Sequence, residues 1–226
     1  MANNGTIAQR VTDLIGSQYS TDAAYEGDLI NAAINEIADI LPLEVLLKYS
    51  RTPGQLESNS EWLVEDRKIL QVTRIDADSN GIERVCELVD RKGFNRASDS
   101  GSIYFATAHS PVYHSDTSNA GAATLKILPE PTTPQKGKIW YFAYASGDNT
   151  GITQATLNTT LYMPTNLIHA IALKSSINIL KAYISNQVQD EEDSELMQMV
   201  TGQIQLLEKD YMTELQRHPN QIIKGE

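Results

Sequence analysis

The sequence carries a single cysteine, Cys86, among 226 residues. An intrachain disulfide is thereby excluded, as is a zinc cluster built on several thiolates. Long apolar runs are missing too. The longest nearly apolar stretch, Ile40 to Leu47, is interrupted by Pro42 and Glu44 and falls short of the ~20 residues a membrane-spanning helix needs. The opening residues, Met1 to Gly5, show no basic region followed by an apolar core, so no secretory signal is expected. Positive charge is scarce: 18 basic residues face 29 acidic ones, for a formal net charge of −11. A surface of that sign repels phosphate, which argues against sequence-specific nucleic-acid binding. It remains compatible with an acidic wall past which DNA slides without sticking. The sequence also lacks a glycine-flanked serine nucleophile, a phosphate-cradling glycine loop ending in Lys-Ser/Thr, a dinucleotide fingerprint and any internal repeat. These absences predict a soluble, non-enzymatic chain that needs no cofactor, makes no membrane contact and suits a reducing cytoplasm.

The hydrophobic fraction of 41% and charged fraction of 21% are ordinary globular values, which argues against wholesale disorder. The length fits one domain, or one body with an inserted subdomain. From Thr6 to Ile15, apolar residues Ile7, Val11, Leu14 and Ile15 mark one helical face that Gly16 ends. A second helix opens at Thr21-Asp22 and carries Leu29, Ile30, Ala33, Ile34, Ile37, Ala38 and Leu41 on a wide stripe. Pro42 interrupts it, and Leu43 to Tyr49 continues as a further helical turn.

From Arg51 the pattern becomes β-type, with short runs at Trp62 to Val64, Ile69 to Ile75, Ile82 to Val89, Ile103 to Thr107, Ala122 to Leu128 and Lys138 to Ala145. Leu125 and Ile127 alternate with Thr124 and Lys126, which predicts one wet face. Helical spacing returns after Pro164, first over Leu167 to Val188 and then from Leu196 to Leu215, with the acidic turn Asp190 to Glu195 between. Two long helices joined by a short turn read as an antiparallel hairpin.

The predicted class is α+β, a helical bundle formed by N- and C-terminal helices with an inserted antiparallel β subdomain. Its divisions fall at 1–50 for the N-terminal helices, 51–160 for the β subdomain, 161–217 for the helical hairpin and 218–226 for a C-terminal tail. Apolar stripes wider than one neighbour requires make Leu29, Ile30, Ile34, Ile37, Ile168, Ile171 and Ile179 candidates for contacts between subunits.

The sharpest metal-type motif is Asp76, Asp78 and Asn80-Gly81 followed by Glu87, which matches calcium-loop spacing. Its flanks look like strands, and a β-hairpin with a polar connection accounts for the same residues. His109, His114 and Asp116 could converge on a metal, yet they sit in a Ser/Thr/Asn-rich stretch expected to be a solvated loop. His169 falls within a helical stripe and reads as a packing residue. Cys86 shares a strand face with Ile82 and Leu88 and reads as buried and inert.

Four segments carry a resemblance to a known family. They are Ser110-Pro111-Val112-Tyr113, Leu125 to Pro131 with its Pro-Glu-Pro ending, the tyrosine-rich Lys138 to Tyr144, and Met163-Pro164 opening a long helix. In this order the chain, from about Asp22 to Arg217, resembles the head-to-tail adaptor (connector) family of tailed bacteriophages. Ser110 stands where the family's turn has asparagine.

The resemblance implies a dodecameric homo-oligomer ring in the virion neck or tail, assembled in the host cytoplasm. Such a ring docks under the portal protein, offers a platform to a tail nozzle, neck or tail-tube protein, and continues the DNA channel. Adaptors of this kind wedge their C-terminal end between portal subunits. That makes Pro219, Asn220, Gln221, Ile222, Ile223 and Lys224 portal-interface candidates, beyond the point where Pro219 stops the helix. The alternative is a calcium- or saccharide-binding β module of a phage or bacterial surface protein.

Overall fold

A computed structural model of the protein describes residues 5–19, 23–49, 54–57, 62–63, 67–76, 81–117, 123–187 and 194–217. The architecture is mixed α+β, and the chain divides into two compact units. The first comprises Met1–Tyr49 and Tyr144–Glu226, the second Ser50–Ala143.

In the first unit, helix α1 (Ile7–Ile15) starts at Thr6, whose Oγ1 accepts from the Gln9 backbone N–H while Gln9 Oε1 accepts from the Thr6 N–H. This reciprocal cap satisfies two donors that a helix start otherwise leaves open. Helix α2 (Ala23–Ile40) turns at Leu41 and Pro42 into α3 (Leu43–Tyr49). Near the other end of the chain, a short α5 (Leu157–Thr160) precedes α6 (Ile168–Gln187) and α7 (Ser194–Arg217).

Helix α6 sits at the centre, packed by α1, α2 and α7. Its buried residues point in nearly every direction around the axis: Ile168, Ala170, Ile171, Ala172, Leu173, Ser175, Ser176, Ile177, Ile179 and Leu180. With the turn before it, Thr165–Asn186 is long and apolar enough on composition to cross a membrane, and 61% of an 18-residue window within it is buried inside the protein. The neighbours answer with one face each: Ile7, Val11 and Ile15 from α1, Ile30, Ile34 and Ile37 from α2, Val200, Ile204, Leu207 and Tyr211 from α7. Each fully buried isoleucine of this kind contributes about 1.5–3 kcal/mol.

Residues 144–160 were expected in the β region, but they belong to the first unit. The cause is a pair of asparagines on α2. Asn35 exchanges two hydrogen bonds with the Ala145 backbone, at 2.6 and 3.2 Å, and Asn31 Nδ2 donates to the Gly147 carbonyl at 2.8 Å. Asn149 Nδ2 then donates to Asn31 Oδ1 at 2.7 Å, and Ile7 N–H donates to the Ile152 carbonyl. His169, expected among packing residues, lies exposed on α6.

The second unit holds two four-stranded sheets. Strands β1 (Gly54–Leu56), β8 (Gly137–Ala143), β3 (Arg67–Ile75) and β4 (Glu83–Val85) form one; β2 (Trp62–Leu63), β7 (Ala123–Leu128), β6 (Val112–Thr117) and β5 (Glu87–Leu88) form the other. The chain crosses between sheets at both edges, from β1 to β2 and from β4 to β5. The run Ile82 to Val89, expected as one strand, therefore bends at Cys86 and serves both sheets. The bend also makes one pair parallel, β5 with β6, in a region expected to be antiparallel throughout.

Leu56, Val72, Cys86, Leu125, Ile127 and Ile139 from the two sheets meet in one core. The sheets approach closely at Gly137, where a Cβ would come within 2.7 Å of Ile127 Cδ1. Arg74 is buried in this unit, donating to the carbonyls of Ile75 and Glu130 and to Gln135 Oε1 at 3.1, 3.3 and 2.8 Å. It thereby ties the proline-rich loop to β3.

Helix α4 (Arg91–Ser98) covers another small core formed with Ala106 and Val112, into which it sends Ala97 and Phe94. This helix is absent from the sequence reading, and Ile103 to Thr107, expected as a strand, is a turn.

Asn149→Ala should strip Asn31 Oδ1 of its donor while leaving the Asn31 bond to Gly147 in place. A loss of about 2 kcal/mol is expected, read from the urea midpoint; an unchanged midpoint would show that the 144–152 segment is held by other contacts.

Candidate assembly surfaces

The calcium motif falls on the β3–β4 hairpin and its exit. Asp76 follows β3; its Oδ1 accepts from the Ile82 N–H and its Oδ2 from Arg84 Nε, both at 2.9 Å. The Arg84 hydrogen bond, with that from Ile82, holds the Asp76 carboxyl below the usual carboxylate range. A cation would have to displace a guanidinium already in place. Glu87 lies beyond the Cys86 bend, exposed on β5 in the other sheet. Asp78 and Asn80 lie outside the described residues. The neighbouring acid Glu83 accepts from Lys138 Nζ and from Thr73 Oγ1, both at 2.6 Å. The hairpin reading accounts for these acids as ion-pair partners.

The two histidines considered for a metal take different partners. His114 sits on β6, where a solvated loop was expected; its Nδ1 lies 2.9 Å from the Val89 carbonyl and its ring 5.6 Å from that of Phe94. His109 is exposed, with Nδ1 3.7 Å from Asp76 Oδ2. Asp116 shares β6 with His114, and its side chain lies outside the described residues. Among the described residues no three His, Cys, Asp or Glu side chains gather as ligands. Cys86 is buried, and burial pushes its thiol up to about 12, against a smaller opposing effect of Arg74.

The subunit-contact candidates need correction. Ile30, Ile34, Ile37, Ile168, Ile171 and Ile179 are all at most 3% exposed within the chain itself. Their stripes are wide because α6 is surrounded, and each neighbour must fill part of its girth. Leu29 alone among the seven keeps partial exposure. Apolar surface is left elsewhere in this unit: on Tyr25, Ile40 and Leu43 of α2 and α3, and on Met199, Leu206 and Met212 of α7. The portal candidates Pro219, Asn220, Gln221, Ile222, Ile223 and Lys224 lie outside the described residues.

In the second unit a further surface escaped the sequence reading. Ile103, Tyr104 and Phe105 project from the turn after α4, with Ile103 92% exposed. The Arg96 guanidinium stands 5.9 Å from the Tyr104 ring centroid. Arg91, Lys92 and Arg96 line one open depression on this side of the helix. The available signal was the trio of bases from Arg91 to Arg96 with no acid among them, followed by three large apolar residues in a row.

The chain matches no family model, no curated protein and no solved structure among those compared.

Calcium should leave the melting temperature unchanged, because a ligand confined to the native state raises stability through RT ln(1 + [L]/Kd) and Asp76 is already engaged. A calcium-dependent rise that Asp76→Ala removes would restore the calcium loop. The lowered folded pKa of Asp76 also fixes a sign. Its stabilisation is complete above the ordinary carboxylate pKa of about 4 and is lost as pH falls through the lowered folded value. Melts of wild type and Asp76→Asn should therefore differ at pH 7 and converge at strongly acidic pH.

Proposed function

We propose that the chain is a ring-forming structural protein of the virion neck, an adaptor that joins the portal to the tail and continues the DNA channel. The observation that carries this reading is the apolar surface left on helices of a unit whose core is already full. Leu206 and Ile40 are 66% and 58% exposed although α6 has consumed the buried faces of its neighbours. Exposed apolar residues of this kind suit contacts with further chains. The element order adds support: two terminal helical segments, read as one bundle, enclose a β unit in sequence, as in the adaptor family the motifs resemble. The net charge of −11 suits a channel wall that must not retain DNA. A ring of identical heterologous contacts would cover apolar helix surface on every subunit at once.

The calcium-binding alternative is not favoured, since Arg84 and the Ile82 N–H already hold both Asp76 oxygens.

Native mass spectrometry of the chain with its cognate portal tests this reading. A ring of identical subunits on the portal, twelve by the resemblance, is the expected result. A chain that stays monomeric at high concentration and ignores the portal sinks it. Removal of residues 219–226 should leave the melting temperature unchanged while weakening portal attachment; normal attachment by the shortened chain would move the portal contact off the tail.

A further inference from the structure

We propose that the α4 projection of one copy docks on the outer face of α7 in a neighbouring copy. This rests on the ring reading and names the contact that builds the ring.

The projecting side is a preformed shape. Ser102 N–H donates to the Asp99 carbonyl, Tyr104 N–H to Ser102 Oγ, Phe105 N–H to the Ser102 carbonyl and Ala106 N–H to the Ala97 carbonyl. These bonds hold Ile103, Tyr104 and Phe105 outward, 92%, 62% and 45% exposed. A surface already ordered loses little conformational freedom on binding. The helix behind it carries Arg91, Lys92 and Arg96 on its exposed side, with one acid at each end, where Asp90 Oδ1 accepts from Gly93 N–H and Asp99 Oδ1 from Gly101 N–H, so bases outnumber acids here three to two.

The receiving side is a stripe on α7. Glu195, Met199, Gly202, Leu206 and Asp210 follow one another at three- and four-residue steps and so share one helical face. Met199 and Leu206 are 58% and 66% exposed, and the acids at each end are exposed as well. Between the two apolar residues Gly202 leaves a saddle: its chain neighbours and the helix's own backbone apart, no atom lies within 4 Å of where a Cβ would stand. Glycine in mid-helix is less favourable than alanine, and nothing inside the chain crowds this one. An aromatic side chain such as Tyr104 suits that saddle.

The charges select this pairing. Copies carrying −11 each repel, so a contact between them gains most where opposite signs meet. Residues 190–226 hold nine acids against three bases, whereas three bases fall within the six positions from Arg91 to Arg96. Bases flanking an apolar tip thus face acids flanking an apolar saddle. Two different surfaces meet, so the contact repeats from copy to copy and closes as a ring when the rotation permits.

Cross-linking tests the contact directly, because Cys86 is buried and does not compete. A Tyr104→Cys chain mixed with a Leu206→Cys chain should form a mixed disulfide dimer under mild oxidation, and the double variant should form a ladder. Arg91→Glu with Arg96→Glu should cut the yield at least tenfold, and Glu195→Arg with Asp210→Arg in the partner should restore it. Gly202→Gln should raise the melting temperature of the free chain yet abolish the cross-link; a cross-link that survives it overturns the saddle.

Rings in native spectra without a 104–206 cross-link overturn this contact and leave the ring reading standing. Absence of both rings and cross-link overturns both. Retention of duplex DNA by the α4 bases, lost in the Arg91→Glu and Arg96→Glu chain and accompanied by no cross-link, assigns the basic helix to phosphate and likewise overturns the proposal.

Discussion

From Ile168 to Leu180, helix α6 is buried around most of its circumference, and the first unit is organised by that constraint. A helix buried all round must be enclosed by several others. The enclosing helices come from both ends of the chain: α1 and α2 from the beginning, α7 from the end. The stretch between them must therefore leave and return. On its return it is fastened through polar groups, since Asn31 and Asn35 satisfy the backbone and side-chain groups of residues 145–149 where no regular ladder can. Across the helix packing, the Lys174 ammonium reaches Glu36 at 2.7 Å and stands 5.8 Å from the Tyr211 ring centroid, joining α6, α2 and α7 near the surface.

Much of this was legible because helix periodicity is a strong signal when apolar residues do all the marking. Ile7, Val11 and Ile15 announced α1, and Val200, Ile204, Leu207 and Tyr211 announced the inner face of α7. The same signal misled on partners. A wide stripe records how much of a helix is covered and not by which chain, so Ile30, Ile34, Ile37, Ile168, Ile171 and Ile179 looked like an interface and are core. In the second unit, α4 was invisible since only Phe94 and Ala97 pack inward among polar neighbours. Its start is set by Asp90 accepting the Gly93 N–H, a cap too common in sequence to stand out. Strand β6 was hidden by its polar composition, His114-Ser115-Asp116-Thr117. The bend at Cys86 was hidden for the opposite reason: an unbroken β-type run gives no hint that it serves two sheets.

Of the candidate sites, the hairpin was readable and the surfaces were not. Asp76, Ser79, Asn80 and Gly81 together spell a turn, and the pairing of Ile75 with Glu83 agrees. Which acids remain available to a ligand depends on the neighbours brought in by the fold. Arg84 for Asp76 and Lys138 for Glu83 are such neighbours, and neither assignment follows from spacing. Exposure is harder still to read. Ile103 to Phe105 has the composition of a strand, and the bonds accepted by Asp99, Ala97 and Ser102 make it a projecting turn.

A charge of this size does not bar the proposed self-association, and the reason lies in range. At physiological ionic strength the screening length is about 8 Å, so most of the −11 is screened between copies whose centres are far apart. Charges brought into contact, with water partly expelled, interact over shorter distances and at lower effective dielectric. On the proposed reading, net charge would keep DNA from adhering, while the placement of a few bases on α4 and acids on α7 would govern where copies meet. The apolar residues between them supply the non-directional part of the attraction. In the proposed contact, charge at the rim would supply the register, since a neighbour that presented its own basic helix would meet like charge. Abundant acid with a few concentrated bases is thus consistent with the subunit proposed above, one that would repel DNA and accept its own kind.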